Sequence, residues 1–143
     1  MGEEHLHVDA GRVLIKAMQG APDTRLIVVG GAGSLYVDEA KTIRLIDTPE
    51  FPEPYKATAS NQAKNLEDLQ QSTGVKWTFV SPAAFFNPEG KRTGSYQAGH
   101  DNLIVNAKGE SYISYADYAI AIVDEIEAPK HLNARFTVVA EAE

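Results

Sequence analysis

Glycines 30, 31 and 33 stand directly behind Leu26, Ile27, Val28 and Val29 in the stretch "RLIVVGGAGSLYVD". An apolar run that empties into glycine is how a strand meets a phosphate-cradling loop, where backbone N–H groups at the head of a helix hold an anion. The spacing argues against that chemistry. The best alignment of three small residues, Gly31-x-Gly33-x-x-Tyr36, ends on a bulky tyrosine where helix and strand would have to pack closely. No sustained helical stripe follows in "YVDEAKTIRLIDTPEFP", and no Gly-Lys-Ser/Thr follows to make a P-loop. Two readings remain. Either the glycines permit positive φ in a tight loop, or small residues at a strand end let a flat ligand lie against the backbone.

Other constellations carry suitable residue types. His5, His7 and Asp9 alternate as metal ligands on a strand face would. No further cluster completes a coordination shell, since His100 and His131 stand alone, so a frayed terminus or helix entry is expected. Ser34 near Asp38 lacks a histidine in triad context. Asp117, in Ser114-Tyr-Ala-Asp117, reads as the acid of a capping box. Trp77 reads as core, and "DEIE" at 124–127 as a solvated helix end.

The elements that must position these residues alternate. A helix is expected over Ala10 to Gln19, capped by Asp9, with Ala10, Val13, Leu14, Ala17 and Met18 as its apolar stripe. Arg25 to Val29 reads as a strand buried on both faces. "TIRLID" reads as a short extended piece, and "TPEFPEP" as rigid loop. The pattern from about Tyr55 to Ser72 is helical, with Ala59, Ala63, Leu66 and Leu69 on one side and Gly74 as its stop. "VKWTFVS" is the next strand, ended by Pro82. "TGSYQAG" and "NLIVNAKGESYIS" read as extended pieces, the second a hairpin turning on Asn106 to Gly109. A helix behind Ser114 should bury Tyr115, Ala119, Ile122, Val123 and Ile126, and "ARFTVV" is a last strand. Helix and strand in alternation predict an α/β layered domain with a mostly parallel sheet.

The bulk numbers set the class. The chain has 143 residues, 43% hydrophobic and 23% charged, an ordinary balance for one globular domain. A net charge of −7 without a basic cluster disfavours nucleic-acid partners. No apolar run approaches the roughly 20 residues of a membrane helix. The acidic start "MGEEHLHVDA" lacks the regions of a signal peptide, and the sequence has no cysteine. A cytoplasmic protein is expected.

With these segments read, "VVGGAGSL", "LIDTPEFPEPYK", "WTFVSPAAFFNPEGKRTGSY" and "ISYADYAIAIVDEIE" together resemble the NmrA-like, NAD(P)H-binding atypical short-chain dehydrogenase/reductases. The likeness is greatest to small bacterial proteins described as NADH-flavin reductases. It implies the C-terminal part of a Rossmann-like doubly wound parallel sheet, with a small hairpin and a C-terminal helix–strand. Members open with a strand and a Gly-x-x-Gly-x-x-Gly turn, and this sequence holds no such segment. Residues 1–143 are therefore expected to form a single incomplete NAD(P)-binding domain, lacking an opening βαβαβ of roughly 70 residues.

The resemblance implies NAD(P)H as cofactor. Gly30, Gly31, Gly33 and Ser34 would line one wall of its nicotinamide side, and Ser81, Pro82, Ala83 and Ala84 the other, largely through backbone groups. Tyr55, Phe85 and Phe86 would stack a flavin or similar ring as the small-molecule acceptor. No catalytic side chain is assigned. The Tyr-x-x-x-Lys pair of many short-chain dehydrogenases fails, because Tyr55 is followed four positions later by Ala59 and the nearest lysines are Lys56 and Lys64. That leaves direct hydride transfer by positioning. The alternatives are a non-catalytic remnant or a truncated product, acting as a binding module and forming a homo-oligomer that covers the open sheet edge.

Overall fold

The fold is described from a computed structural model covering residues 6–21, 23–49 and 51–142. In chain order its elements are α1 (Leu6–Gln19), β1 (Arg25–Val29), α2 (Lys56–Gln71), β2 (Lys76–Ser81), β3 (Phe85–Asn87), β4 (Gln97–Gly99), β5 (Tyr112–Ser114), α3 (Tyr115–Glu127) and β6 (Ala134–Val139). Short 3-10 turns at Leu45–Asp47 and Glu53–Tyr55 punctuate the long passage from β1 to α2. The main sheet runs β1-β2-β6-β4. Its first three strands are parallel and β4 is antiparallel to β6. Such an α/β layering is what the alternation of elements implied.

Both faces of the sheet are covered, which explains the near-continuous apolar runs of β2 and β6. On one face, Trp77 and Phe79 pack with Leu66 and Leu69 of α2, joined by Ile15 and Met18 of α1 and by Leu26 and Val28. On the other, Val80, Phe136 and Val138 meet Tyr118 and Ala121 of α3, and Ile27 points the same way. The buried Tyr118 hydroxyl donates to the Val80 carbonyl at 2.7 Å, tying α3 to the central strand. Burial pushes that phenol well above its ordinary range.

The core stripe of α2 is as the sequence suggests, but the other two helices are turned differently. Helix α1 begins at Leu6, so Asp9 lies within it rather than capping it. It buries Val8 and Gly11 and partly buries Ile15 and Met18, while Val13 and Leu14 are exposed. In α3 the buried residues are Asp117, Tyr118, Ala121 and Glu125. Tyr115, Val123 and Ile126, expected inside, are about half exposed. Helix α3 is apolar nearly all round, so hydrophobicity alone does not fix its inward face; two buried carboxylates with dedicated partners do.

Those partners correct two further expectations. Ser114 caps α3 by accepting from the Asp117 amide at 3.0 Å, but the Asp117 carboxylate reaches across to the Thr93 amide at 2.9 Å, the Gly94 amide at 3.0 Å and the Thr93 hydroxyl at 2.7 Å. It pins a loop instead of closing a capping box. Glu125 is not a solvated helix end: it is 4% exposed and accepts from Arg25 Nη1 at 2.6 Å and from the Lys130 and His131 amides. Burial alone would raise this carboxyl, yet those hydrogen bonds outweigh it and hold the group below its ordinary value.

The hairpin expectation is also revised. Asn106 to Gly109 do form a tight turn, with the Asn106 amide donating to Glu110 and Gly109 at φ +78°. The strand that follows, β5, pairs in parallel with β3 as a separate two-stranded sheet. "TIRLID" forms no strand: it makes an isolated bridge, Arg44 to Tyr36, and then a 3-10 turn. Local periodicity cannot choose a strand's partner, because pairing is made by distant residues.

Candidate functional site

Strands β1 and β2 end side by side, with Val29 in register with Val80. The Gly30 amide continues the ladder onto the Val80 carbonyl at 2.9 Å, so the glycine run starts as an extension of the sheet. None of Gly30, Gly31 and Gly33 has a positive φ. Contact, not backbone conformation, requires them. A Cβ on Gly30 would lie 2.0 Å from the Phe79 ring, one on Gly31 2.2 Å from Gln62 Oε1, and one on Gly33 2.9 Å from Ala59 Cβ. The loop is pressed onto β2 and the first turns of α2.

Beyond Gly33 the chain is held from two sides. The Ile46 amide donates to the Gly33 carbonyl at 3.0 Å and Leu45 to Leu35 at 2.8 Å. Tyr36 exchanges hydrogen bonds with Asp101 and Leu103 at 2.9 Å each. Asp38 closes the next turn, accepting from the Thr42 hydroxyl and from the Thr42 and Ile43 amides. The Thr42 hydroxyl and then the Ile43 amide hold its carboxyl below the ordinary range. Asp38 is thus committed to a turn and does not activate Ser34.

Opposite the glycine wall, the chain leaves β2 through Ser81 and Pro82. Ala84 donates to the Ser111 hydroxyl and Phe85 to the Ser111 carbonyl, each at 2.9 Å. Between the two walls lies a cavity of about 320 Å³, lined by Ala32, Gly33, Leu45, Phe51, Pro52, Tyr55, Thr58, Ala59, Gln62 and Pro82 to Ala84. Tyr55 is its one ionisable side chain among the described residues, and Thr58 and Gln62 supply the remaining side-chain polarity.

Of the residues singled out from sequence, the structure brings Gly33, Tyr55, Pro82, Ala83 and Ala84 to this cavity. Gly30 and Gly31 stand beneath it against Phe79 and Gln62. Ser34 and Ser81 are buried at 8% and 0% exposure, their hydroxyls turned to Arg135 rather than to the cavity. The two phenylalanines go elsewhere: Phe86 packs on Tyr115 and Tyr118 at centroid distances of 4.2 and 4.8 Å, and Phe85 sits edge-on to Tyr112. Phe86 lies against α3 and Phe85 against β5, and neither lines the cavity.

The His5 and His7 side chains lie outside the described residues. Among the described residues no group of three histidines or acids is placed to hold a metal. His100 and His131, alone in sequence, meet edge-on at 5.7 Å, and His131 stacks on Phe136.

Sequence reasoning missed Phe51, Thr58, Gln62 and Arg135. Only Arg135 left a signal: a cation inside the otherwise apolar run "ARFTVV", which a buried strand tolerates only with dedicated partners.

Small residues and exposed backbone on two facing walls, at the carboxyl ends of parallel strands, are where doubly wound sheets bind flat ligands. At about 320 Å³ the cavity is the size of a small-molecule site, and Gln62, Thr58 and the wall backbone are its hydrogen-bonding groups beside Tyr55. Among the described residues no glycine-rich helix N-terminus stands beside it for a pyrophosphate.

This is the architecture of a nicotinamide-cofactor domain, and the chain belongs to the NAD(P)H-binding family, whose model matches residues 2–129. It is 71% identical over 142 residues to the uncharacterized protein YwnB of Bacillus subtilis, covering 99% of this chain and 67% of that protein. A crystal structure from Streptococcus pneumoniae, named a "putative NADH-flavin reductase", superposes with a TM-score of 0.93 at 45% identity, over 98% of this chain and 66% of that one. A "putative epimerase" from Bacteroides thetaiotaomicron matches with a TM-score of 0.75 at 41% identity, over 81% of this chain and 53% of that one. The chain thus spans about two thirds of the length of its nearly full-coverage relatives. No helix among the described residues is long and apolar enough to cross a membrane.

Proposed function

We propose that this chain forms the nicotinamide and acceptor side of an NAD(P)H-dependent oxidoreductase of NmrA-like type that passes a hydride to a flavin-like or quinone-like acceptor. One observation carries the reading: the cavity between the walls offers no carboxylate, amine, imidazole or thiol among the described residues. Carbonyl or alcohol chemistry needs a proton donor held at the reacting atom, and the one candidate, the Tyr55 phenol, is 66% exposed with no lysine beside it in the cavity lining. Hydride transfer to a conjugated ring needs two flat partners in contact with water kept out. A bound nicotinamide supplies the hydride; the protein's residues orient and exclude. Gly33 and Pro82 to Ala84 would sandwich the ring, Gln62 and Thr58 would fix its amide, and Tyr55 and Phe51 would stack the acceptor at the open side. Tyr55 is 66% exposed, as a residue that meets an incoming ring should be. The family match supports the cofactor class, and the name of the pneumococcal neighbour supports the flavin-like acceptor.

The test is titration of the 143-residue chain with NADH and NADPH, read by energy transfer from Trp77, the sole tryptophan. Micromolar binding that is lost in Gly33→Val is the expected outcome. No binding at millimolar cofactor overturns the reading for this chain.

A second reading, association through the sheet edge into a homo-oligomer, is favoured by β1. Among the described residues β1 pairs only with β2, and Val29 is 59% exposed. Arg12 and Gln19 bind Asp68 and Thr73 toward α2, which turns the exposed Val13 and Leu14 to the opposite flank of α1. Unprotected edges of this kind recruit further strands. A sedimentation series that stays monomeric at all concentrations removes this reading.

A further inference from the structure

The two walls of the cavity belong to segments 47 positions apart, counting Ser34 to Ser81. Once β1 and β2 have ended, the sheet ladder no longer fixes their separation. One side chain spans them. Arg135 of β6 is 5% exposed, and its guanidinium donates from Nη1 to the Ser34 hydroxyl at 2.9 Å and the Ser81 hydroxyl at 3.4 Å. Nη2 donates to the Ser34 and Asp101 carbonyls at 3.3 Å each, and Nε to Asp101 Oδ1 at 3.1 Å. All five guanidinium donors are thereby used. Thr137, two residues on, donates to the Ser81 carbonyl at 2.9 Å and fixes the same wall from its backbone.

We propose that Arg135 is a positioning residue that sets the spacing of the glycine wall and the Ser81–Ala84 wall, and through that spacing the affinity for the nicotinamide ring; this rests on the cofactor reading above. With every donor engaged and the side chain buried, Arg135 has nothing left to offer a ligand directly. It acts through Ser34 and Ser81. The planar fork matters more than the charge: a lysine carries its donors on one nitrogen and cannot reach the hydroxyls of both walls, the Ser34 carbonyl and Asp101 together. A buried guanidinium is also costly to leave unmatched, so the loop that carries Ser34 is drawn to it and kept there.

The experiment compares Arg135→Lys and Ser34→Ala with the unmodified chain, using two readouts. The first is amide hydrogen exchange without cofactor. Loosening of the glycine wall is expected to raise exchange at Leu45 and Ile46, whose amides bond Leu35 and Gly33, while the β1–β2 ladder keeps its protection. The second is NADH affinity per folded molecule, measured well below each variant's unfolding midpoint. A loss of about tenfold is expected in Arg135→Lys, the size of one charge-assisted hydrogen bond network disturbed. Ser34→Ala should lose less, and the double variant should be no worse than Arg135→Lys alone. If Arg135→Lys does not fold, Ser34→Ala and Ser81→Ala carry the test.

A purely structural arginine would lower the unfolding midpoint and leave both local exchange and affinity of the folded protein unchanged; that result overturns the proposal. Additive losses in the double variant overturn it too, because then Arg135 does not act through Ser34. An unmodified chain that binds neither NADH nor NADPH, while the wall still loosens in Arg135→Lys, overturns the nicotinamide reading and leaves the clamp standing.

Discussion

Two arginines, Arg25 partly buried and Arg135 buried, brace opposite ends of the same sheet, and they do different things. Arg25 opens β1 and pairs with Glu125, itself 4% exposed, which in turn gathers the Lys130 and His131 amides just past α3. Arg25 also donates to the Glu125 carbonyl and to Thr78, so strand, helix end and connecting turn are locked by one charge pair. Arg135 instead meets a carboxylate that is 38% exposed and spends its remaining donors on serines and carbonyls of the loops around the cavity. Burial pulls the Arg135 guanidinium below its usual range and Asp101 partly restores it. One end of the sheet is closed by two fully paired charges. The other is held by a cation shared between one partly exposed carboxylate and the neutral groups of the loops around the cavity.

The largest effect should come from breaking the closed end. Arg25→Met strands the Glu125 carboxylate in the core, and a loss of about 3–5 kcal/mol in urea unfolding is expected. A loss below 1 kcal/mol would mean the pair is idle and the contrast false. The same pair predicts a pH dependence. The folded carboxyl titrates below its unfolded value near 4.5, so its contribution is complete above that value and fades as the pH falls through the folded one. Glu125→Gln should be less stable than the unmodified protein at neutral pH and approach it in acid, a convergence visible in unfolding midpoints across the acid limb.

Next in size is Asp117, the other carboxylate buried under α3. Asp117→Ala removes three hydrogen bonds to Thr93 and Gly94, and about 2 kcal/mol is expected to go with them. Proteolysis near Thr93 should rise in parallel; an unchanged cleavage pattern would show that the loop is held otherwise.

At the cavity end, the glycines separate by what they touch. Gly30→Ala drives a methyl into the fully buried Phe79 ring and should cost about 1–3 kcal/mol. Gly31→Ala meets only the flexible end of Gln62, which can swing aside, so stability should change far less. Equal losses in thermal melts would refute the packing account of these glycines. Smallest of all, Val123→Lys and Ile126→Lys on the exposed flank of α3 should stay within about 0.5 kcal/mol of the unmodified protein. A larger loss in either would mean that flank is covered.

What the sequence determined by itself is local and periodic: the strands β1, β2 and β6 from their apolar runs, α2 and its stripe from the spacing of Ala59, Ala63, Leu66 and Leu69, the Ser114 cap, and the glycine run directly behind β1. These follow from propensity and pattern within a few turns of chain. The tertiary structure decided what depends on distant partners. It set which way α1 and α3 face, sent β5 to β3, buried Glu125 and Asp117, and turned Phe85 and Phe86 away from the cavity. It also drew Ser34 and Ser81 onto Arg135, a residue about a hundred and about fifty positions away from them. A charge in an apolar strand announces that partners exist, but only the folded chain shows which they are, because burial is tolerable wherever enough donors and acceptors converge and sequence does not say where that is.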